Sequence, residues 1–371
     1  MTFSEADRLH MQRALELSKQ GEGHVEPNPM VGCVIAENEH VLAEGWHQHF
    51  GGPHAEVEAL RRATDDVSGK TMYVTLEPCC HQGKTPPCCD QILAAGIQRV
   101  VIARYDPFPQ VAGQGIDQLK SAGLQVEVGL LAEEAADVLA PFEKLISIGH
   151  PWVIAKWAMT LDGRIASRTG TSQWISGEAS RAMVHALRGR CDAILVGRGT
   201  VEHDDPLLTA RPPGTRTALR IVMDSLASLD LDSQLVRTAE SVPVCVAVGP
   251  HAPQDNCIGL QDAGCEVLRL AGESHEARLS QLMEELGQRR MTNLMVEGGG
   301  HLIGSLFDQD FIDEVHVFVA PKLVGGAEAP GPLQGRGLES IELARRFTRM
   351  NVERCDDDIY VHGRLTREHM T

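Results

Sequence analysis

The sequence predicts an α/β protein built as two consecutive domains, residues 1–147 and 150–371. Three observations carry this expectation. Helix-like and strand-like segments alternate through the first part, the pattern of a sheet with crossover helices. A second series of strands opens near Trp152, just after the segment ISIGHP at 146–151. The last strand-like segments have few helices between them, the antiparallel pattern.

Each element has a local reason. The opening segment is an amphipathic helix with Ser4 as its cap and Gly21 as its stop. MVGCVIA at 30–36 is a strand. A helix holding His54 follows Gly51-Gly52-Pro53, with proline favourable in a first turn. TMYVTL at 71–76 and RVVIAR at 99–104 are strands around a short helix at 89–96 that Gly96 closes. GIDQLKSAG and LAEEAADVLAPFEKLIS are helical. Beyond the boundary, strands are expected at 152–159, 192–197, 219–224, 243–248 and 293–298. Helices at about 178–190, 275–288 and 300–308 lie between them. EVHVFVAP, FTRMNVERC and DIYVHGRL form the antiparallel end.

Composition narrows the class of function. The net charge of −17 with only scattered basic doublets argues against a nucleic-acid partner. No apolar run reaches the ~20 residues needed to span a bilayer, and no signal peptide is legible, so a cytoplasmic protein is expected. Ten cysteines in such a chain are metal ligands or core thiols rather than disulfides.

The chemistry-bearing pattern of the first half is HAEVEAL at 54–60, followed by TLEPCCHQGKTPPCCDQIL. Singly, each histidine or cysteine is most simply a structural residue. Together they follow the zinc-deaminase order, H-x-E…P-C-x-x-C. One imidazole and two thiolates hold Zn²⁺ and leave a position for water, and a carboxylate outside the ligand set moves the proton. His54, Cys79 and Cys88 are therefore the expected ligands of one zinc ion, and Glu56 the expected catalytic carboxylate. Cys80 and Cys89 are expected to point elsewhere, and His81 to be a loop residue. On a regular helix, side chains two positions apart diverge by about 200°. The pair thus needs an irregular first turn near Pro53. The eight residues between Cys79 and Cys88 depart from the short pattern.

PNPMVGCVI, GGPHAEVEAL, YVTLEPCCHQGKTPPCC and DPFPQVAGQG together resemble the deaminase half of the bifunctional deaminase/reductase family of riboflavin biosynthesis. The resemblance implies a cytidine-deaminase-like zinc domain acting on a phosphoribosylated diaminopyrimidinone. It implies substrate contacts at Asn28, His47, Lys84, Thr85 and Asp106. Two positions depart from the family pattern: Cys80 stands for a serine, and Phe108 for an asparagine whose hydrogen bonds phenylalanine cannot make.

The second half carries KWAMTLDGRIA, SQWIS, GRGTVEHDDPLLTAR and VEGGGHLIGSLF. In the last, a strand ends at Glu297, three glycines follow and a helix begins, a place where backbone amides can approach a phosphate. No G-x-G-x-x-G occurs. Asp204-Asp205-Pro206 reads as a turn. These segments resemble the reductase half of the same family, similar to dihydrofolate reductase, which implies NADPH as cofactor and reduction of a ribosyl group to ribityl. The resemblance places Met159, Trp174, Thr200, Asp204, Ser225 and Gly299, Gly300, His301, Leu302, Ile303, Gly304 and Ser305 at the cofactor. It places Lys156, Ser172, Arg188, Leu208, Arg211 and Glu297 at the substrate, with Lys156 near the reacting carbon. Arg188 and Arg211 suit a phosphate, since guanidinium binds it in a bidentate way. Ser228 stands where the family has an arginine suited to the 2′-phosphate of NADPH, so a narrower preference over NADH is expected. The expected partners are a small phosphoribosyl pyrimidine and further copies of the chain, with no nucleic acid and no membrane. Two other readings remain at this point: a nucleic-acid base deaminase with an appended non-catalytic cofactor-binding domain, and a regulatory cofactor-binding protein that has lost its chemistry.

Overall fold

The computed structural model describes residues 3–80, 86–108 and 112–366. The chain divides into two compact units, Met1–Gly149 and His150–Thr371.

The first unit holds, in chain order, α1 (Glu5–Ser18), β1 (Gly32–Glu37), β2 (His40–Trp46), α2 (Ala55–Arg62), β3 (Thr71–Val74), α3 (Cys88–Ala94), β4 (Arg99–Ile102), α4 (Gln114–Ser121), β5 (Gln125–Val128) and α5 (Ala132–Ile148). Ser4 and Asp7 close a capping box on α1, satisfying two backbone donors at the helix start. The sheet order is β2-β1-β3-β4-β5. β1 runs antiparallel to both β2 and β3, and β3, β4 and β5 are parallel. Sequence patterning identifies neither β2 nor β5. β5 is four residues long, and β2 is an edge strand with mixed burial. Gly45 in β2 has a packing purpose. A Cβ there would stand 2.3 Å from the Ala59 backbone nitrogen and 2.4 Å from the Ala55 carbonyl oxygen. Only glycine lets α2 lie this close to the sheet.

The second unit holds β6 (Trp152–Thr160), α6 (Glu178–Arg188), β7 (Ala193–Gly197), α7 (Arg198–Asp204), β8 (Leu219–Met223), α8 (Gln234–Arg237), β9 (Val244–Val248), α9 (Gln254–Asp262), β10 (Glu266–Arg269), α10 (His275–Gln288), β11 (Asn293–Glu297), α11 (Gly300–Asp308), β12 (Ile312–Ala320), β13 (Phe347–Cys355) and β14 (Asp358–Leu365). Its sheet order is β10-β9-β8-β7-β11-β6-β12-β14-β13. The strands from β10 to β12 are parallel, and β14 and β13 close the sheet antiparallel. The expected parallel sheet with an antiparallel end is present. Not expected from sequence are β10, α7, α8 and α9. The chain moves outward from β7 to β10, returns to insert β11 between β7 and β6, then places β12 beyond β6. Such a reversal opens a crevice at the carboxyl ends of the strands. One face of the sheet buries Val153, Ala155, Leu195 and Val296 with Leu279 and Leu282 of α10 and Leu302 and Ile303 of α11.

Candidate active sites

In the first unit, α2 begins at Ala55, one residue later than its histidine. His54 is the N-cap, with extended backbone at φ −74° and ψ 164°. Pro53 therefore lies outside the helix rather than in its first turn. The break in helical geometry falls between His54 and Glu56, so the two side chains need not diverge as they would on a regular helix. Glu56 is 3% exposed, on the buried side of α2's first turn.

His54 Nδ1 lies 3.5 Å from Cys79 Sγ and 3.3 Å from Cys88 Sγ. These separations match the edge of a tetrahedron with Zn–N of about 2.0–2.1 Å and Zn–S of about 2.3 Å. Among the described residues, this is the one group of three such side chains with donor atoms within 4.8 Å of one another. The donor set fits zinc with one position to spare. α3 begins at Cys88, directly after Pro87, and the Cys88 backbone N–H donates to Cys79 Sγ at 3.4 Å. Cys89 turns into the apolar core, its thiol donating to the Pro78 and Gly115 carbonyls, and Cys80 packs at the core's edge.

Electrostatics follow from this packing. A hydrogen bond with Cys88, then one with His54, lowers the Cys79 thiol to about 4, and burial opposes both. The Cys88 thiol is pushed up by sharing that hydrogen bond and by burial. The bond to Cys79 raises His54 to about 9. Burial lifts Glu56 to about 7, although the nearby His54 charge and a hydrogen bond with Cys88 act the other way.

His47 and Asn28 meet beside this cluster. His47 Nδ1–H donates to the Pro53 carbonyl at 2.8 Å, which leaves Nε2 to accept from Asn28 Nδ2 at 3.2 Å. The His47 and His54 rings stand edge to face, 5.6 Å apart. Asp106 is buried, and its carboxylate accepts the Phe108 backbone N–H at 2.8 Å. The backbone at 108 thus serves the turn whatever the side chain. Lys84, Thr85 and His81 lie outside the described residues.

Glu77 is not singled out by the sequence. It is buried and accepts four backbone N–H groups, those of Asp106, Gly113, Gly115 and Ile116, at 2.9–3.3 Å. It fixes the loop that carries Asp106. Its one sequence signal is its place in Glu-Pro-Cys.

In the second unit, Glu297 closes β11, Lys156 is its partner on β6, and Arg188 ends α6. Arg188 donates to both Glu297 carboxylate oxygens, at 2.5 and 2.9 Å, and Lys156 Nζ lies 3.3 Å from Oε2. Burial alone would push Glu297 up. The two cations and their hydrogen bonds outweigh it and hold the carboxyl at about 2. The remaining Arg188 nitrogen donates to the Thr209 carbonyl at 3.3 Å. Arg188 thus spends three of its five N–H donors on Glu297 and the 209 backbone, while Arg211 is exposed with its guanidinium on Thr209 Oγ1. Leu208 is buried, at φ +53°.

The register extends this polar row. Lys156 pairs with His316 of β12, and His316 with His362 of β14. Directly opposite residues share a face. His316, between Tyr360 and Glu314, is buried and hydrogen-bonded at both ring nitrogens, at 2.6 and 2.8 Å. In sequence this stretch reads only as an alternating strand.

The remaining sequence-chosen residues lie on several elements and loops of the second unit. Met159 lies near the end of β6 against the core. Thr200, in α7, stands where a Cβ on Gly298 would be 2.9 Å away. Gly298 and Gly299 have φ of +81° and +55°, which only glycine adopts without strain. No side chain caps α11, and its first residue, Gly300, packs against the backbone of Gly331 and the side chain of Gln334. Leu302 and Ile303 instead point into the core. Asp204 accepts from Ser172 Oγ at 2.7 Å. Ser225, after β8, accepts from Arg278 at 3.1 Å. Trp174 is 65% exposed, with the Arg181 guanidinium 4.7 Å from its ring centre. Ser228 is exposed, and its hydroxyl donates to Asp224 at 3.2 Å.

Fold and site together define a two-part enzyme, a cytidine-deaminase-type zinc unit followed by a reductase unit. Residues 4–104 match the cytidine and deoxycytidylate deaminase zinc-binding region, and residues 151–361 match the RibD C-terminal domain. The chain belongs to the RibD family of riboflavin biosynthesis proteins. It is 42% identical over 354 residues to the riboflavin biosynthesis protein RibD of Actinobacillus pleuropneumoniae, covering 95% of this chain and 94% of that one. It is 37% identical to that of Aquifex aeolicus, covering 96% and 98%. Among solved structures, Acinetobacter baumannii RibD is similar at TM-score 0.85 and 36% identity, covering 98% of this chain and 99% of that one. The diaminohydroxyphosphoribosylaminopyrimidine deaminase/5-amino-6-(5-phosphoribosylamino)uracil reductase of Thermotoga maritima is similar at TM-score 0.83 and 34% identity, covering 97% and 99%. The cofactors of the two domain types are zinc and NADPH. No helix among the described residues is long and apolar enough to cross a membrane.

Proposed function

We propose that the unit up to residue 147 hydrolytically removes an exocyclic amine from a diaminopyrimidinone carrying a ribosyl 5′-phosphate. The unit from residue 150 then reduces the ribosyl group of the deaminated product to ribityl with NADPH. One observation carries the reading: the same chain holds the His54, Cys79 and Cys88 cluster beside buried Glu56 and, at the switch point of a parallel sheet, the Lys156–Glu297–Arg188 group.

His54, Cys79 and Cys88 hold zinc, which supplies a water of lowered pKa. Glu56 would take one proton from the attacking water and give it to the ring nitrogen, then take the second from the hydroxyl added to the ring carbon and give it to the exocyclic amine, which leaves as ammonia when the carbon–nitrogen bond breaks. Asn28, His47 and Asp106 orient the pyrimidine, and Lys84 and Thr85 receive the phosphate. In the reductase unit, NADPH supplies the hydride. Glu297, fixed by Arg188, orients Lys156 at the reacting carbon. Arg211, with Leu208 and Ser172, holds the phosphoribosyl group. Met159, Trp174, Thr200, Asp204, Ser225 and the Gly299–Ser305 turn bind the cofactor.

The protein works in the cytoplasm without nucleic acid, as a homo-oligomer. The exposed edge strand β13, with Met350 and Val352 solvent-facing, supports self-association, which light scattering of the purified protein checks. The test of function is direct. The zinc-loaded protein releases ammonia from the diaminopyrimidinone substrate, and it oxidises NADPH only when the deaminated product is present. Ammonia release without NADPH oxidation would remove the second half of the reading.

A further inference from the structure

Arg220 sits on β8, an interior strand third from the β10 edge of the second unit's sheet, at 0% exposure. Its hydrogen-bond partners are neutral oxygens: the Leu207 carbonyl at 3.1 Å, Thr238 Oγ1 at 2.8 Å, and the Thr238 and Val242 carbonyls at 3.2 and 2.5 Å. Nε has no partner. Burial drags the guanidinium down to about 10. A charge taken out of water with no counter-ion is costly, and an apolar side chain on this strand would avoid that cost.

What the guanidinium does and an apolar side chain cannot is grip the backbone at Leu207. The neighbouring backbone needs gripping. Asp205 and Leu208 both have positive φ, +39° and +53°, a region disfavoured for residues with a Cβ. Such conformations persist where the surroundings over-determine them. Gln234 holds Asp205 from one side, through its backbone N–H and its side-chain amide, and Arg220 holds Leu207 from beneath. Two residues on, the Thr209 carbonyl receives Arg188, which also holds Glu297.

We propose that Arg220 is a positioning residue of the reductase. By fixing the strained 205–208 backbone, it sets where Leu208 and Arg211 meet the phosphoribosyl group and where the Thr209 carbonyl anchors Arg188. This rests on the assignment of Leu208 and Arg211 to the substrate given above.

The test uses the full-length protein with Arg220→Met and Arg220→Lys. In Arg220→Met, KM for 5-amino-6-(5-phosphoribosylamino)uracil should rise roughly tenfold or more, as small misplacements of binding groups do. KM for NADPH should stay within about twofold, and ammonia release by the first unit should be unchanged. Arg220→Lys should recover part of the loss. Amide hydrogen exchange should speed up across 205–211 and not in β7. An unchanged substrate KM in a folded variant would overturn the proposal. So would equal rises in both KM values without rescue by lysine, which would mark a merely structural arginine. If Arg220→Met does not fold, Thr238→Val removes one acceptor, and a smaller rise confined to the substrate KM is expected; no rise overturns the proposal. If the wild-type protein oxidises no NADPH with this substrate, the functional reading fails, and the exchange experiment still decides whether Arg220 holds the loop.

Discussion

Single side chains carry most of the chemistry, and their tests are sharp. Removing a thiol from a three-ligand set should cost the metal, so Cys79→Ser and Cys88→Ser should purify without zinc, while Cys89→Ser, a core thiol, should retain it; metal analysis of the three proteins checks this. Ser228→Arg should widen the kcat/KM ratio of NADPH over NADH. The exposed Ser228 hydroxyl is engaged by Asp224, and a guanidinium would add a charge that the hydroxyl lacks. Charge-assisted hydrogen bonds contribute about 1.5–3 kcal/mol against about 0.5–1.5 for neutral ones, a gain of roughly tenfold. An unchanged ratio would mean that position 228 does not face the 2′-phosphate. Glu297 makes a pH prediction. Its carboxyl is held at about 2, below its ordinary 4.5, by Arg188 and Lys156 against the pull of burial. A depressed carboxylate stabilises the fold above its ordinary pKa and loses that contribution as pH falls towards about 2. The second unit should therefore weaken between about pH 4.5 and 2, and Glu297→Gln should remove that part of the pH dependence while destabilising at neutral pH by on the order of 3 kcal/mol. Chemical denaturation at several pH values checks both.

At the scale of elements, the zinc site depends on how α2 is seated. Its start is the hinge of the site: His54 caps the helix and Glu56 lies in the first turn. Gly45 lets α2 rest on β2. Gly45→Ala should force the two apart, costing about 1–3 kcal/mol as overpacking does, and should lower zinc content by spreading His54 from the two cysteines. Thermal denaturation with metal analysis checks it, and normal zinc content would show that α2 can shift without opening the site. This dependence is not visible in the sequence. Gly45 falls in an edge segment too mixed in polarity to read as a strand, and its purpose is a contact with a helix ten residues on.

For the whole molecule, two units within one chain mean two sites that can be disabled separately. Glu56→Gln should keep its zinc and lose deamination by about 10²–10⁴-fold, the usual contribution of a general acid–base group. Its reduction of the already deaminated substrate should continue at the wild-type rate. A parallel loss of both activities would contradict the assignment of the two reactions to separate units.

The sequence by itself determined the α/β class, the His54, Cys79 and Cys88 group that the fold brings together, and the parallel sheet with its antiparallel end. Those features are local: ligand spacing, hydrophobic periodicity and glycine-rich turns are written in short windows. Tertiary structure alone decided the rest. Glu77 becomes a clamp because chain far ahead of it folds back to offer four N–H groups. Arg188 is placed at the substrate by resemblance, and only the fold shows that Glu297, more than a hundred residues away, pairs with it. Arg220 is one position in an expected strand, and its partners, the 207 and 238 backbones, are supplied by the fold. A buried polar group takes its meaning from its partners, and those partners come from distant parts of the chain, which no local pattern encodes.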